Sequence, residues 1–202
     1  MCLIDKDGDG LMDIKQRLDK FRELLHDEGF LSNHRLGNEV GLYVFAYNPK
    51  DEMIVRYFIE DLKRDYASKT NGCRIIAYDL YDVLISICED RRILDRLPQL
   101  EVQRGSEFLC QQIKRSAPPD RYIEKMMYES HEKGDVIILY GVGKVYPYMR
   151  SHNILNNIQQ VFENIPVVMF YPGEYTGQSL TLFSKFKDDN YYRAFNLIER
   201  NK

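Results

Sequence analysis

The chain is 202 residues long, 44% hydrophobic and 29% charged, with a formal net charge of -3. Those values suit one ordinary globular domain with a substantial core and exclude a disordered or fibrous polypeptide. They also exclude a global basic field, so the chain alone is not expected to bind nucleic acid directly, although a place in a DNA-handling assembly stays open.

The first stretch, MCLIDKDGDGLMDIKQ, carries part of a calcium-loop pattern. Asp5, Asp7, Asp9 and Gly10 fill the early positions, where alternating oxygens hold the ion and a glycine turns the backbone, and Met12 fills the apolar eighth. The closing position is Gln16, which cannot give bidentate carboxylate coordination, and only Met1 to Ile4 precede the loop where a helix should stand. The expectation is a solvated acidic extension over residues 1–12, with Asp9 or Asp13 capping the next helix, no dedicated metal site, and at most weak calcium binding by the three aspartates. Residues 13–202 are expected to form a single α/β domain.

From Asp13 to His26, Ile14, Leu18, Phe21, Leu24 and Leu25 recur at helical spacing, with Gly29 as the expected stop. Val40 to Ala46 is a short β-forming apolar run, the mark of a strand buried on both faces. Asn48-Pro49 then opens a helix through Tyr66, with Met53, Tyr57, Ile59 and Leu62 expected to face inward. Cys73 to Tyr78 is the second strand, and Leu80 to Lys133 is mostly helical, divided at Pro98 and Pro118-Pro119, with Pro119 suited to a first helical turn. Val136 to Tyr140 is the clearest strand, Gly141-Val142-Gly143 a turn, Pro147 to Phe162 a helix, and Pro166 to Tyr171 a strand closed by Pro172-Gly173. Gln178 to Phe186 reads equally as strand or short helix, and a hairpin is expected around Asp188-Asp189-Asn190.

Strands alternating with helices predict an α/β three-layer sandwich with a mostly parallel sheet and a helical insertion between the second and third strands. The pattern is P-loop-NTPase-like or Rossmann-like without a phosphate-binding loop: Gly143-Lys144 is followed by Val145, and position 146 is Tyr. No apolar run reaches the ~20 residues of a membrane span, acidic residues interrupt the N-terminus at Asp5, and Cys2, Cys73, Cys88 and Cys110 form no CxxC pair. A cytoplasmic protein with reduced, structural cysteines is the reading.

Ligands on such sheets sit beyond the carboxyl ends of the strands. Asp79 and Asp82 end the second strand, where paired carboxylates can hold magnesium or cap the following helix; capping is favoured for Asp79. Arg150, His152 and Asn156 follow the third strand, the last two sharing a helical face, yet no G-x-S-x-G elbow or nearby cysteine supplies a nucleophile. These five residues form one candidate pocket. The C-terminal set Tyr171, Tyr175, Gln178, Asp189, Tyr191, Tyr192 and Arg193 forms a candidate interface, rich in the Tyr and Arg that interfaces favour.

Several ordered segments carry a resemblance. Gly141-Val142-Gly143, Pro147 to Asn157, Pro166 to Gly173, Gly177 to Leu180 and Lys187 to Phe195 resemble the BrxB family, the B component of BREX bacteriophage-exclusion systems. Leu36 to Val40 and Tyr78 to Asp82 fit the same family, so the likeness spans about Ile14 to Ile198. The resemblance implies a small subunit of a multi-protein antiviral defence system that also holds a DNA methyltransferase, large ATPases and an alkaline-phosphatase-like protein. It brings no catalytic residues and no cofactor. The expected function is a non-catalytic adaptor whose partners are other BREX subunits, foremost the phosphatase-like one. The alternative is a nucleotide- or metal-binding sensor or enzyme using the strand ends.

Overall fold

A computed structural model describes residues 12–32, 41–127, 130–158, 161–162, 165–188 and 194–198. In chain order the helices are α1 (Ile14–Leu24), α2 (Glu28–Leu31), α3 (Glu52–Asp65), α4 (Leu80–Asp90), α5 (Leu97–Arg104), α6 (Ser106–Ser116), α7 (Pro119–Met127), α8 (Val142–Val145) and α9 (Ser151–Ile158). The strands are β1 (Leu42–Tyr47), β2 (Arg74–Asp79), β3 (Asp135–Tyr140), β4 (Val167–Tyr175), β5 (Leu180–Leu182), β6 (Phe186–Asp188) and β7 (Phe195–Asn196).

The class is α/β with a mixed sheet. Strand order is β2-β3-β4-β1-β7, all parallel, and β5 and β6 extend β4 as an antiparallel ribbon. From β1 the chain moves three places along the sheet through α3, and from β2 it steps back one place through α4 to α7. Opposite directions on opposite faces give both crossovers the same hand, as connections between parallel strands require.

Side-chain alternation divides the core in two. Leu42, Val44 and Ala46 of β1, with Ile137, Leu139, Val167 and Met169, pack against α4, α6, α7, α8 and α9. Tyr43, Phe45 and Tyr47, with Val136, Ile138, Val168 and Phe170, pack against α1, α2 and α3. Burial of one such side chain stabilises by about 1.5–3 kcal/mol. In the second cluster Phe21 meets Phe170 edge-on, with centroids 5.5 Å apart, and the Arg17 guanidinium lies 4.6 Å from the Phe45 ring centre.

Several expectations are corrected. Gly29 does not stop the first helix; α1 ends first, and Gly29 lies inside α2, whose start is capped by the Asp27 carboxylate accepting from Phe30 N–H at 2.7 Å. Met53 and Tyr57 face outward, 55% and 67% exposed, because the buried stripe of α3 runs Val55-Ile59-Leu62. Pro98 does mark a division, standing in the first turn of α5 after the break that follows α4, where its missing N–H costs nothing. A helix follows β3 at once as α8, and α9 begins at Ser151 rather than Pro147.

Pro172-Gly173 does not close β4 either. The strand continues because it changes partner there, pairing parallel with β1 through Pro172 and antiparallel with β5 from Gly173. The Pro172 carbonyl accepts from Phe183 N–H at 2.9 Å, and a Cβ on Gly173 would overlap the Thr181 carbonyl, so only glycine permits that approach. Gln178 to Phe186 resolves as strand: β5, then a tight turn with Phe183 and Ser184 both at φ 54°, then β6. The hairpin expected around Asp188-Asp189-Asn190 falls largely outside the described residues. Among the described residues, no helix is long and apolar enough to cross a membrane.

Candidate functional site

The carboxyl end of β2 places Asp79 at the start of α4. Its Oδ1 accepts from Tyr81 N–H at 2.9 Å, which caps the helix, and the same carboxylate lies against the turn after β3. Gly141 in that turn adopts φ 73°, and a Cβ there would overlap the Asp79 carboxylate. The first glycine of the Gly-Val-Gly turn is thus a notch for Asp79. Lys144 of α8 donates to Asp79 Oδ2 at 2.5 Å, stands 3.8 Å from Asp82 Oδ1, and lies 5.4 Å from the Tyr81 ring centre. The second glycine, Gly143, lies against the Phe183 ring. Where a phosphate loop would offer free amides and a free lysine, this turn holds the protein's own carboxylate and its own aromatic ring.

A second region opens beside it. The loop from α8 to α9 and the β5–β6 hairpin enclose a cavity of about 290 Å³. Val142, Met149 and Leu182 give it an apolar floor. Its polar wall holds Arg150, Ser151 and Tyr171 on one side and Lys185, Lys187 and Asp188 on the other. Tyr146 and Phe186 also line it, their rings tilted by 34° at 5.2 Å. His152, one residue into α9, lies with Nδ1 2.8 Å from Asp188 Oδ2 and so pins the helix to β6. Tyr171 is 2% exposed; burial, and then the charge of Asp188, push its pKa upward, so its hydroxyl stays protonated.

The five pocket candidates therefore separate. Asp79 and Asp82 belong to the closed turn, Asp82 with its side chain 75% exposed. Arg150 lines the cavity, His152 supports its wall, and Asn156 is exposed one turn further along α9. Of the interface candidates, Tyr171 and Tyr175 are buried, and the Tyr175 hydroxyl donates to the Ala194 carbonyl at 2.6 Å; Gln178 is exposed. Asp189, Tyr191, Tyr192 and Arg193 lie outside the described residues, as do the calcium candidates Asp5, Asp7 and Asp9. Among the described residues no three His, Cys, Asp or Glu side chains converge to hold a metal ion. Lys185 and Phe186 escaped the sequence reading. The one local signal was an arginine standing where a helix usually has Ser, Thr, Asp or Asn before its first turn.

Comparison with known proteins gives consistent matches. A family model described as "BREX protein BrxB" matches residues 76–197. A "BREX protein BrxB" of Bacillus cereus (strain H3081.97) is 39% identical over 194 residues, covering 93% of this chain and 98% of that protein. Another, from Escherichia coli O9:H4 (strain HS), is 29% identical over 194 residues, covering 92% of each. No solved structure matches. With a family model spanning more than half the chain and a relative aligned over nearly all of it, the chain belongs to the BrxB family, a component of BREX systems.

Proposed function

We propose that this chain is a non-catalytic adaptor in a cytoplasmic BREX defence complex, docking to the alkaline-phosphatase-like subunit. The observation that carries the reading is the outer face of α3. Met53, Ile54 and Tyr57 are 55%, 38% and 67% exposed and fall within one turn of one helix face. Large apolar side chains grouped this way mark contact surfaces, and Met and Tyr are residue types that interfaces favour. The filled turn after β3 supports the same reading, since its lysine and carboxylate neutralise each other. The reading treats residues 13–202 as one α/β domain, in three layers and Rossmann-like without a phosphate loop; the two apolar clusters on opposite sheet faces support it. Gln178 and the tail residues Asp189, Tyr191, Tyr192 and Arg193 are assigned to docking as well.

Co-expression with the phosphatase-like subunit tests the proposal. The two should co-purify, and Met53→Glu with Tyr57→Glu should weaken the complex at least tenfold while leaving the melting temperature unchanged. Arg193→Glu should add a smaller loss. A wild-type chain that elutes alone in the presence of all the other subunits would refute the adaptor role.

A further inference from the structure

The cavity beside α9 has a chemistry that the adaptor role leaves unused. Two of its cations, Arg150 and Lys185, are exposed and have no hydrogen-bond or ion-pair partner among the described residues. Elsewhere the protein pairs the cations at its strand ends, Lys144 with Asp79 and Arg74 with Asp135. Two hydroxyls also face the cavity without partners among the described residues: Tyr171, 2% exposed, and Ser151, 9% exposed. A buried tyrosine hydroxyl normally finds a hydrogen bond, so one left open toward a cavity points to a group that arrives from outside. The same wall carries the first turn of α9. Arg150 precedes it and has no side-chain acceptor with which to cap its N–H groups, and both Arg150 and Ser151 line the cavity, so the N-terminus of α9 borders the same space. The opposing charge is Asp188, whose carboxylate is turned to His152.

A guanidinium, an ammonium, two hydroxyl donors and a helix N-terminus suit an anion with several acceptor oxygens in tetrahedral array, more than a planar carboxylate. Phe186, 47% exposed and backed by Tyr146, adds an aromatic face at the same cavity, on which a flat ring can stack. The volume stands just below the range of about 300–1,000 Å³ typical of small-ligand pockets, which limits the occupant to one nucleotide unit or less. From this juxtaposition we infer that the cavity between α9 and the β5–β6 hairpin is a binding site for a phosphate monoester on an aromatic nucleoside, that is, a mononucleotide. The inference is independent of the docking proposal, because it is read on the isolated protein.

Isothermal titration with AMP, inorganic phosphate and adenosine is the direct test. AMP should bind with a stoichiometry of one, phosphate should compete with it, and adenosine should bind at least tenfold more weakly. Arg150→Gln and Lys185→Gln should each weaken AMP about tenfold, and Tyr171→Phe, which removes one hydroxyl and keeps the ring, several-fold. Asn156→Ala should change nothing. The inference is overturned if AMP shows no binding at millimolar concentration, if adenosine matches AMP, or if Arg150→Gln and Lys185→Gln leave the affinity unaltered. An acidic peptide that displaces AMP as effectively as phosphate does would overturn it as well, and would assign the cavity to a protein partner.

Discussion

Two charged regions stand side by side at the carboxyl edge of the sheet, and they have opposite characters. At the turn after β3, Asp79, Gly141 and Lys144 close on one another: the carboxylate fills the glycine notch and the lysine lies on the carboxylate. At the cavity beside α9, Arg150 and Lys185 face open space, and the carboxylate that shares the wall, Asp188, is turned to His152. A glycine and a lysine after a strand look like a ligand site in sequence, yet here they serve the fold. The open chemistry sits on residues with no motif at all. Motifs record residue types, whereas binding depends on which of those groups the fold leaves unsatisfied.

The largest effect is expected at the paired extreme. Asp135, at the start of β3, is 0% exposed and held bidentately by Arg74 at 2.6 and 3.2 Å, with Glu132 N–H at 2.8 Å. Asp135→Asn should cost about 4 kcal/mol in urea unfolding, because it leaves the guanidinium without its counter-charge. Burial alone would raise the pKa of Asp135, but the Arg74 pair, the Glu132 N–H and Lys69 outweigh it and lower the value. A lowered folded pKa means the contribution is fully present above the unfolded value of about 3.9 and is lost as pH falls through the folded one. The wild type should therefore lose stability below about pH 4, and Asp135→Asn should show a flatter acid limb.

Next comes Gly141→Ala, expected to cost about 2–3 kcal/mol, since it combines left-handed strain with displacement of the Asp79 carboxylate. Asp79→Ala should cost about 1–2 kcal/mol through the lost cap and the stranded lysine. If Gly141→Ala proves neutral, the notch is not filled as described. Smaller still, Ser184→Gly should stabilise by about 0.5 kcal/mol, because Ser184 holds φ 54° in the β5–β6 turn and glycine relieves most of that strain. Arg150→Gln and Lys185→Gln should change stability by no more than about 0.5 kcal/mol, as open surface charges do. A loss there as large as that of Asp79→Ala would erase the contrast between the two regions.

The fold was legible wherever one rule acted alone. Val136 to Tyr140 reads as a doubly buried strand because every position is apolar and nearly all are β-branched or aromatic, and Asp79 reads as a cap because it stands between a strand and an apolar helical run. Legibility failed where tertiary contact overrode local preference. Pro172-Gly173 signals a stop, but the partner change supplies a role for a residue without an N–H and for one without a side chain. Met53 and Tyr57 look inward because they are apolar, and only the true phase of α3, set by Val55, Ile59 and Leu62, turns them out. The cavity was invisible for a plainer reason. Lys185 and Phe186 reach the cavity that Arg150 lines only through the return of the hairpin, and no sequence spacing encodes that approach.

The partner change of β4 also has a dynamic consequence. Its first half is clamped between β3 and β1, whereas its second half projects past the sheet and bears the hairpin that walls the cavity. One strand is thus anchored at one end and cantilevered at the other. Amide hydrogen exchange should trace this as a gradient along a single element, slowest at Val168 to Phe170 and faster from Glu174 onward into β5 and β6. The cavity wall can then breathe by local opening of the ribbon without disturbing the sheet that carries it.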